Sequence, residues 1–120
     1  MELQRLDRDA VRTLYEQVGE DRQMFDELVA AFREEGPQRI AELRRAVAGG
    51  DSALAGRAAH TLKSNSATFG ATDLASLCRR LETAARGDEL AGAAGVVADI
   101  ERCWALVCRD LDRLGQEAPG

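Results

Sequence analysis

Residues 49–72 read GGDSALAGRAAHTLKSNSATFGAT, and the fold follows from how that stretch is spaced. At 100° per residue, Ala55, Ala58, Ala59, Leu62, Ser66 and Phe69 fall on one face of a helix. Gly49-Gly50 breaks whatever precedes it, Asp51 is suited to cap a helix over about 52–69, and Gly70 is suited to end it. The face is built largely from alanine. Small side chains let a neighbouring helix axis come close, so this segment belongs at the packed centre of a helical protein.

Outward from there the same period continues. Downstream, Leu74, Leu77, Cys78, Leu81 and Ala85 predict a helix over about 72–86 that Gly87 ends. Asp88 is then read as the cap of a last helix over about 89–114, with Leu90, Ala94, Val97, Ile100, Trp104, Val107, Leu111 and Leu114 as its stripe. Upstream, Phe25, Leu28, Val29, Phe32, Ile40, Leu43 and Val47 predict a helix over about 21–48. Gly36-Pro37 falls inside it, and a proline there removes the bond to the Arg33 carbonyl, so a kink or two abutting helices is expected. A short first helix over about 8–18 carries Val11, Leu14, Tyr15 and Val18, with Asp7 as its cap and Gly19 as its stop. Runs of β-branched residues are absent, so strands have little support. Turns this short force neighbouring helices antiparallel. The expected fold is all-α, an antiparallel four-helix bundle with an additional short N-terminal helix, as one domain over residues 1–120.

Composition narrows the function. The 120 residues are 45% hydrophobic and 31% charged, which suits a globular chain with one core. Sixteen basic against 21 acidic side chains leave a net charge of −5, which argues against nucleic acid as a partner. No apolar run approaches the ~18 residues a membrane span needs, and MELQRLDRD has no signal-peptide core, so a cytoplasmic location is expected. Cys78, Cys103 and Cys108 lie in helix-patterned segments without paired metal spacing, and are read as reduced thiols. Neither a phosphate-binding loop nor a nucleotide fingerprint is present, so an ATP-dependent kinase is excluded and no cofactor or metal is expected.

The chemistry concentrates at His60, the only histidine, three residues before Lys63, the only lysine. His60 lies about 160° around the helix from Leu62 and should face solvent. Gly56, Lys63, Ser64 and Ala67 share its side, and three of these are small, which leaves a clearing that another protein could enter. A neutral imidazole, with an unperturbed pKa of about 6.5, is a good nucleophile near neutrality. An ammonium one turn away can hold phosphoryl oxygens, and a carboxylate accepting from Nδ1–H would leave Nε2 free to attack. Glu82 is the candidate for that carboxylate. Against this stands the plain alternative of an ordinary surface histidine; metal binding lacks a second histidine, and a serine triad lacks its strand-turn elbow.

The stretch Ala58-Ala59-His60-Thr61-Leu62-Lys63-Ser64-Asn65-Ser66-Ala67-Thr68-Phe69-Gly70 resembles the A-H-x-L-K-G-x-S-x-x-x-G signature of histidine phosphotransfer (HPt) domains. The likeness continues through Leu74, Leu77, Cys78 and Leu81-Glu82. Upstream it takes in Leu6-Asp7, the Gly19-Glu20-Asp21 turn, the Phe25-to-Phe32 stripe and Pro37, so it covers about residues 4–115. The resemblance implies a phosphoryl carrier of two-component phosphorelays. His60 would be phosphorylated on Nε2, Lys63 would steady the phosphoryl oxygens, Gly70 would close the motif, and Glu82 and Arg86 would lie near the phosphohistidine. It also implies receiver domains of response regulators or hybrid kinases as partners, Mg²⁺ held by the receiver alone, and a monomer. Where the family places Gly after the Lys, this chain has Ser64, a small residue expected to be tolerated on the docking surface. The rival function is a helical adaptor that binds a receiver or sensor kinase and carries nothing.

Overall fold

The computed structural model describes residues 3–116; the first two and last four residues of the expected single domain lie outside them. Five helices follow one another: α1 (Arg8–Gln17), α2 (Arg22–Gly49), α3 (Ser52–Thr68), α4 (Thr72–Arg86) and α5 (Ala94–Gln116). α3 packs against α4 and α2, and α5 closes the ring by packing against both α2 and α4. That cycle is a four-helix bundle, with α1 set across α2 and α3 as the extra helix. The 28 residues of α2 span about 42 Å at 1.5 Å per residue. They account for the 43 Å long axis of the molecule.

Caps formed by aspartates start three helices. Asp7 accepts from the Asp9 N–H, Asp21 from Met24 and Asp51 from Leu54. Each satisfies a donor that the first turn leaves without a partner. Gly70 does more than end α3. Its φ is +71°, and an added Cβ would lie 2.7 Å from Ala10 Cβ and 2.9 Å from Asp7 Cβ. Its carbonyl also accepts from the Asp7 N–H at 3.0 Å. The absence of a side chain is what lets α1 begin against the end of α3.

Three expectations are corrected. The last helix begins at Ala94, not at 89, and Asp88 is not its cap. Asp88 is left-handed (φ +54°), as is Gly92 (φ +87°), so the chain turns twice before α5. The Asp88 carboxylate is taken by Ser52 Oγ at 2.6 Å, while Leu90 and Ala93 drop into the core from the turn. Second, of the kink or division expected at Pro37, the division into two abutting helices does not occur, and α2 runs through as one helix. Gly36 beside it is buried, and a Cβ there would collide with the ring of Trp104 on α5. Trp104 in turn meets Phe32 edge-on at 5.1 Å, and Phe32 stacks on Phe69 at 4.6 Å. Third, Leu28 is exposed, together with Met24 one turn before it. Leu28 lies about 60° around α2 from the buried Phe25, at the edge of the apolar stripe.

The core joins residues of all five helices, with Phe25, Leu43, Leu62, Leu74, Leu81, Ile100, Leu111 and Leu114 almost wholly buried. Asp110 is buried among them. Its carboxylate accepts from the backbone N–H groups of Gln4, Arg5 and Leu6 at 2.6–3.0 Å, and Arg113 Nη1 lies 3.3 Å away. A buried carboxylate surrounded by donors is a tolerable burial, and here it pins the segment ahead of α1 to α5. Cys78 and Cys103 are buried and Cys108 is half-buried, all three as free thiols. Burial pushes the Cys78 thiol up to about 12.

Candidate functional site

α3 carries His60 in its middle, on the face turned from the core, and the side chain is 60% exposed. The core side of α3 is held by Ala55, Ala58, Ala59 and Leu62, all buried, and this fixes the rotation that turns residue 60 outward. The alanine-rich face also brings α4 close to α3. Closeness matters because the second half of the site comes from α4.

Glu82 is the hub of that second half. It is a buried residue, 4% exposed, on a helix face otherwise filled by Leu74, Cys78, Leu81 and Ala85. Its Oε2 lies 3.0 Å from His60 Nδ1 and 2.9 Å from Arg86 Nη2; its Oε1 lies 2.6 Å from Lys63 Nζ. The Lys63 hydrogen bond is the chief cause holding the Glu82 carboxyl below the usual carboxylate range. Burial opposes it, and His60 and Arg86 add to the lowering. An ionised carboxylate has only acceptors, so the contact with His60 requires Nδ1 to carry the proton. In the neutral ring Nε2 then keeps its lone pair, and the side chain that bears it is mostly exposed.

Four residues singled out by the sequence are therefore gathered: His60, Lys63, Glu82 and Arg86. The geometry adds one point about Lys63 and Arg86. Both cations are paired with Glu82, where the sequence suggested only proximity to the imidazole and what it carries. Ser64 and Ala67 are exposed one and two turns beyond His60, and Gly56 is half-buried one turn before it. Gly70 sits at the far end of α3 and shapes the join with α1, as described above.

Beside His60 runs a shallow open groove of about 720 Å³ between α3 and α4. Gly56, His60, Glu82 and Arg86 line it, but so do Ser52, Ala53, Arg57 and Ala85, none of which the sequence placed at the site. Ser64 and Ala67 do not. The direction has a simple cause. Every Cα–Cβ bond of a helix leans toward the N-terminus, so a side chain at 60 covers the turn before it, not the one after. That rule could have found Arg57 from the sequence. No helix among the described residues is long and apolar enough to cross a membrane.

Comparison with protein families matches the Hpt domain over residues 27–117. The chain belongs to the Hpt domain family. Among solved structures, this Hpt chain is similar to the crystal structure of histidine-containing phosphotransfer protein B (HptB) from Pseudomonas aeruginosa PAO1. The two share 28% sequence identity at a TM-score of 0.86, over 96% of this chain and 97% of that one. No curated protein matches significantly. The Hpt match begins inside α2 and takes in α3, α4 and α5, and with them His60 and all its partners. α1 lies ahead of the matched region and joins it through the Gly70 contact.

Proposed function

We propose that this chain carries a phosphoryl group on His60 Nε2, passing it between receiver-domain aspartates in a multistep phosphorelay. The observation that carries the reading is the pairing of an exposed imidazole with a buried carboxylate at 3.0 Å. A surface histidine without such a partner has nothing to fix its tautomer. This one has Nδ1 committed and Nε2 facing outward.

The transfer step balances on that arrangement. The Nε2 lone pair attacks phosphorus of a receiver's aspartyl phosphate, the P–O bond breaks, and the aspartate leaves as carboxylate with the bonding pair. The Nδ1 proton stays where it is, so the phosphorylated ring bears a positive charge beside the negative charge of Glu82. That placement stabilises the charge as it develops. Lys63 and Arg86 together bring two positive charges to one carboxylate, a surplus of one facing a dianionic phosphoryl group. Lys63 Nζ has three donors and Arg86 a planar fork, so each keeps donors to spare for phosphoryl oxygen while bonded to Glu82. Mg²⁺ belongs to the receiver in this reading, and the chain itself supplies position and charge. The reading includes Gly56, Ser64 and Ala67 as docking surface, a monomer, a single domain, and a cytoplasmic setting that suits three free thiols.

The test is incubation with a radiolabelled phosphorylated receiver. Wild type should gain acid-labile label and His60→Gln none. A wild type that binds the receiver but takes no label would leave the adaptor function in its place. Label in the variant would move the site to another residue.

A further inference from the structure

The basic residues around His60 divide into two kinds. Lys63 and Arg86 both donate to Glu82, on the Nδ1 side of the ring. Arg57 does not. It is exposed, it lines the same groove as His60 and Gly56, and among the described residues no carboxylate pairs with it.

Helix geometry sets Arg57 beside His60. It lies one turn before His60, over the patch toward which the histidine side chain leans. Cβ atoms three residues apart on a helix are about 5–6 Å from each other, a gap that an arginine side chain spans. With Nδ1 turned to Glu82, Nε2 is across the ring and away from α4. Gly56 and Ala53 leave the intervening surface low. We infer that Arg57 binds the non-transferred oxygens of the phosphoryl group on Nε2, with its guanidinium fork on two of them. The inference rests on His60 being the carrier. It adds a group whose whole donor capacity is open to phosphate, where Lys63 and Arg86 each share theirs with Glu82. A planar fork matches two phosphoryl oxygens better than a point charge does.

A small donor separates contact with the phosphoryl group from contact with a partner protein. In zwitterionic phosphoramidate, Nε2 attacks phosphorus, the P–N bond breaks, and ammonia leaves with the bonding pair. Formation of phosphohistidine by ³¹P NMR would be followed for wild type, Arg57→Ala, Arg57→Lys and, as a remote control, Arg12→Ala. The alanine variant should react about tenfold more slowly, the loss expected for one charge-assisted hydrogen-bonding group. Arg57→Lys should fall between it and wild type, and Arg12→Ala should match wild type. Arg57 is exposed and has no ion-pair partner among the described residues, so its removal leaves the bundle intact, which circular dichroism checks. An Arg57→Ala protein that reacts with phosphoramidate at the wild-type rate overturns the inference, even if its transfer from a receiver slows. Failure of wild type to react, or reaction of His60→Gln, overturns the carrier reading instead, so the two failures are distinguishable.

Discussion

At the scale of single residues, Glu82 does two jobs with one carboxylate. It sets the histidine tautomer, and it serves as counter-charge to a lysine and an arginine at the edge of the core. Its carboxyl is lowered from the usual range, first by the Lys63 hydrogen bond, and the sign of the resulting pH dependence follows. A folded-state pKa below the unfolded value of about 4.3 means the stabilisation is complete above that value and is lost as pH falls through the folded one. Glu82→Gln should therefore cost about 2 kcal/mol at neutral pH, the loss expected for buried charge-assisted hydrogen bonds. Urea midpoints of the two proteins should differ by a constant amount from pH 7 down to about pH 5 and converge in stronger acid. A gap that persists undiminished in acid would show that charge is not what Glu82 contributes.

At the scale of elements, hydrogen bonds tie the chain down just ahead of α1. Asp110 of α5 holds Gln4, Arg5 and Leu6, and the Gly70 carbonyl beyond the end of α3 holds Asp7, the cap of α1. Asp110→Ala deletes the acceptor of three backbone N–H groups at once and leaves them facing a core position. The expected cost is about 3 kcal/mol, in the range found when buried donors lose their partner. Hydrogen exchange gives the more specific readout. The amides of Gln4, Arg5 and Leu6 should lose protection in this variant, while those of α3 and α4 near His60 keep theirs. Equal loss everywhere would mean that Asp110 supports the bundle as a whole and not the segment.

At the scale of the molecule, packing of α4 on α3 presents one imidazole to the outside beside an open groove. Ser64 is exposed one turn beyond His60, and on the proposed docking surface a residue with a long side chain there would stand in the path of a docking domain. Ser64→Gln keeps helix propensity high, so its melting temperature should match wild type. Its phosphoryl transfer from a receiver should fall by about tenfold or more, because a clash at a docking surface discriminates against the bound state. Transfer at the wild-type rate would place the docking surface elsewhere, with the groove toward Ser52 and Arg57 as the next region to probe.

Local information was enough for much of this. The 3.6-residue period, the aspartate caps and the glycine stops specify each helix through contacts a few residues long, and α3 and α4 begin where their signals stand. The same period turns residue 60 to solvent, because rotation of a helix is decided by which side is apolar. What needed tertiary structure is whatever depends on two distant segments meeting. Only packing of α4 on α3 brings Glu82 to His60, 22 residues away, and sets Lys63 and Arg86 on the same carboxylate. Only packing of α5 shows why Gly36 is bare and why an aspartate occupies a core position at 110. The start of α5 was misread for the same reason, since Asp88 looks like a cap until Ser52 of another helix takes its carboxylate. A chain encodes its periods in neighbouring residues, but a hydrogen bond across the bundle exists only once the helices have chosen their partners.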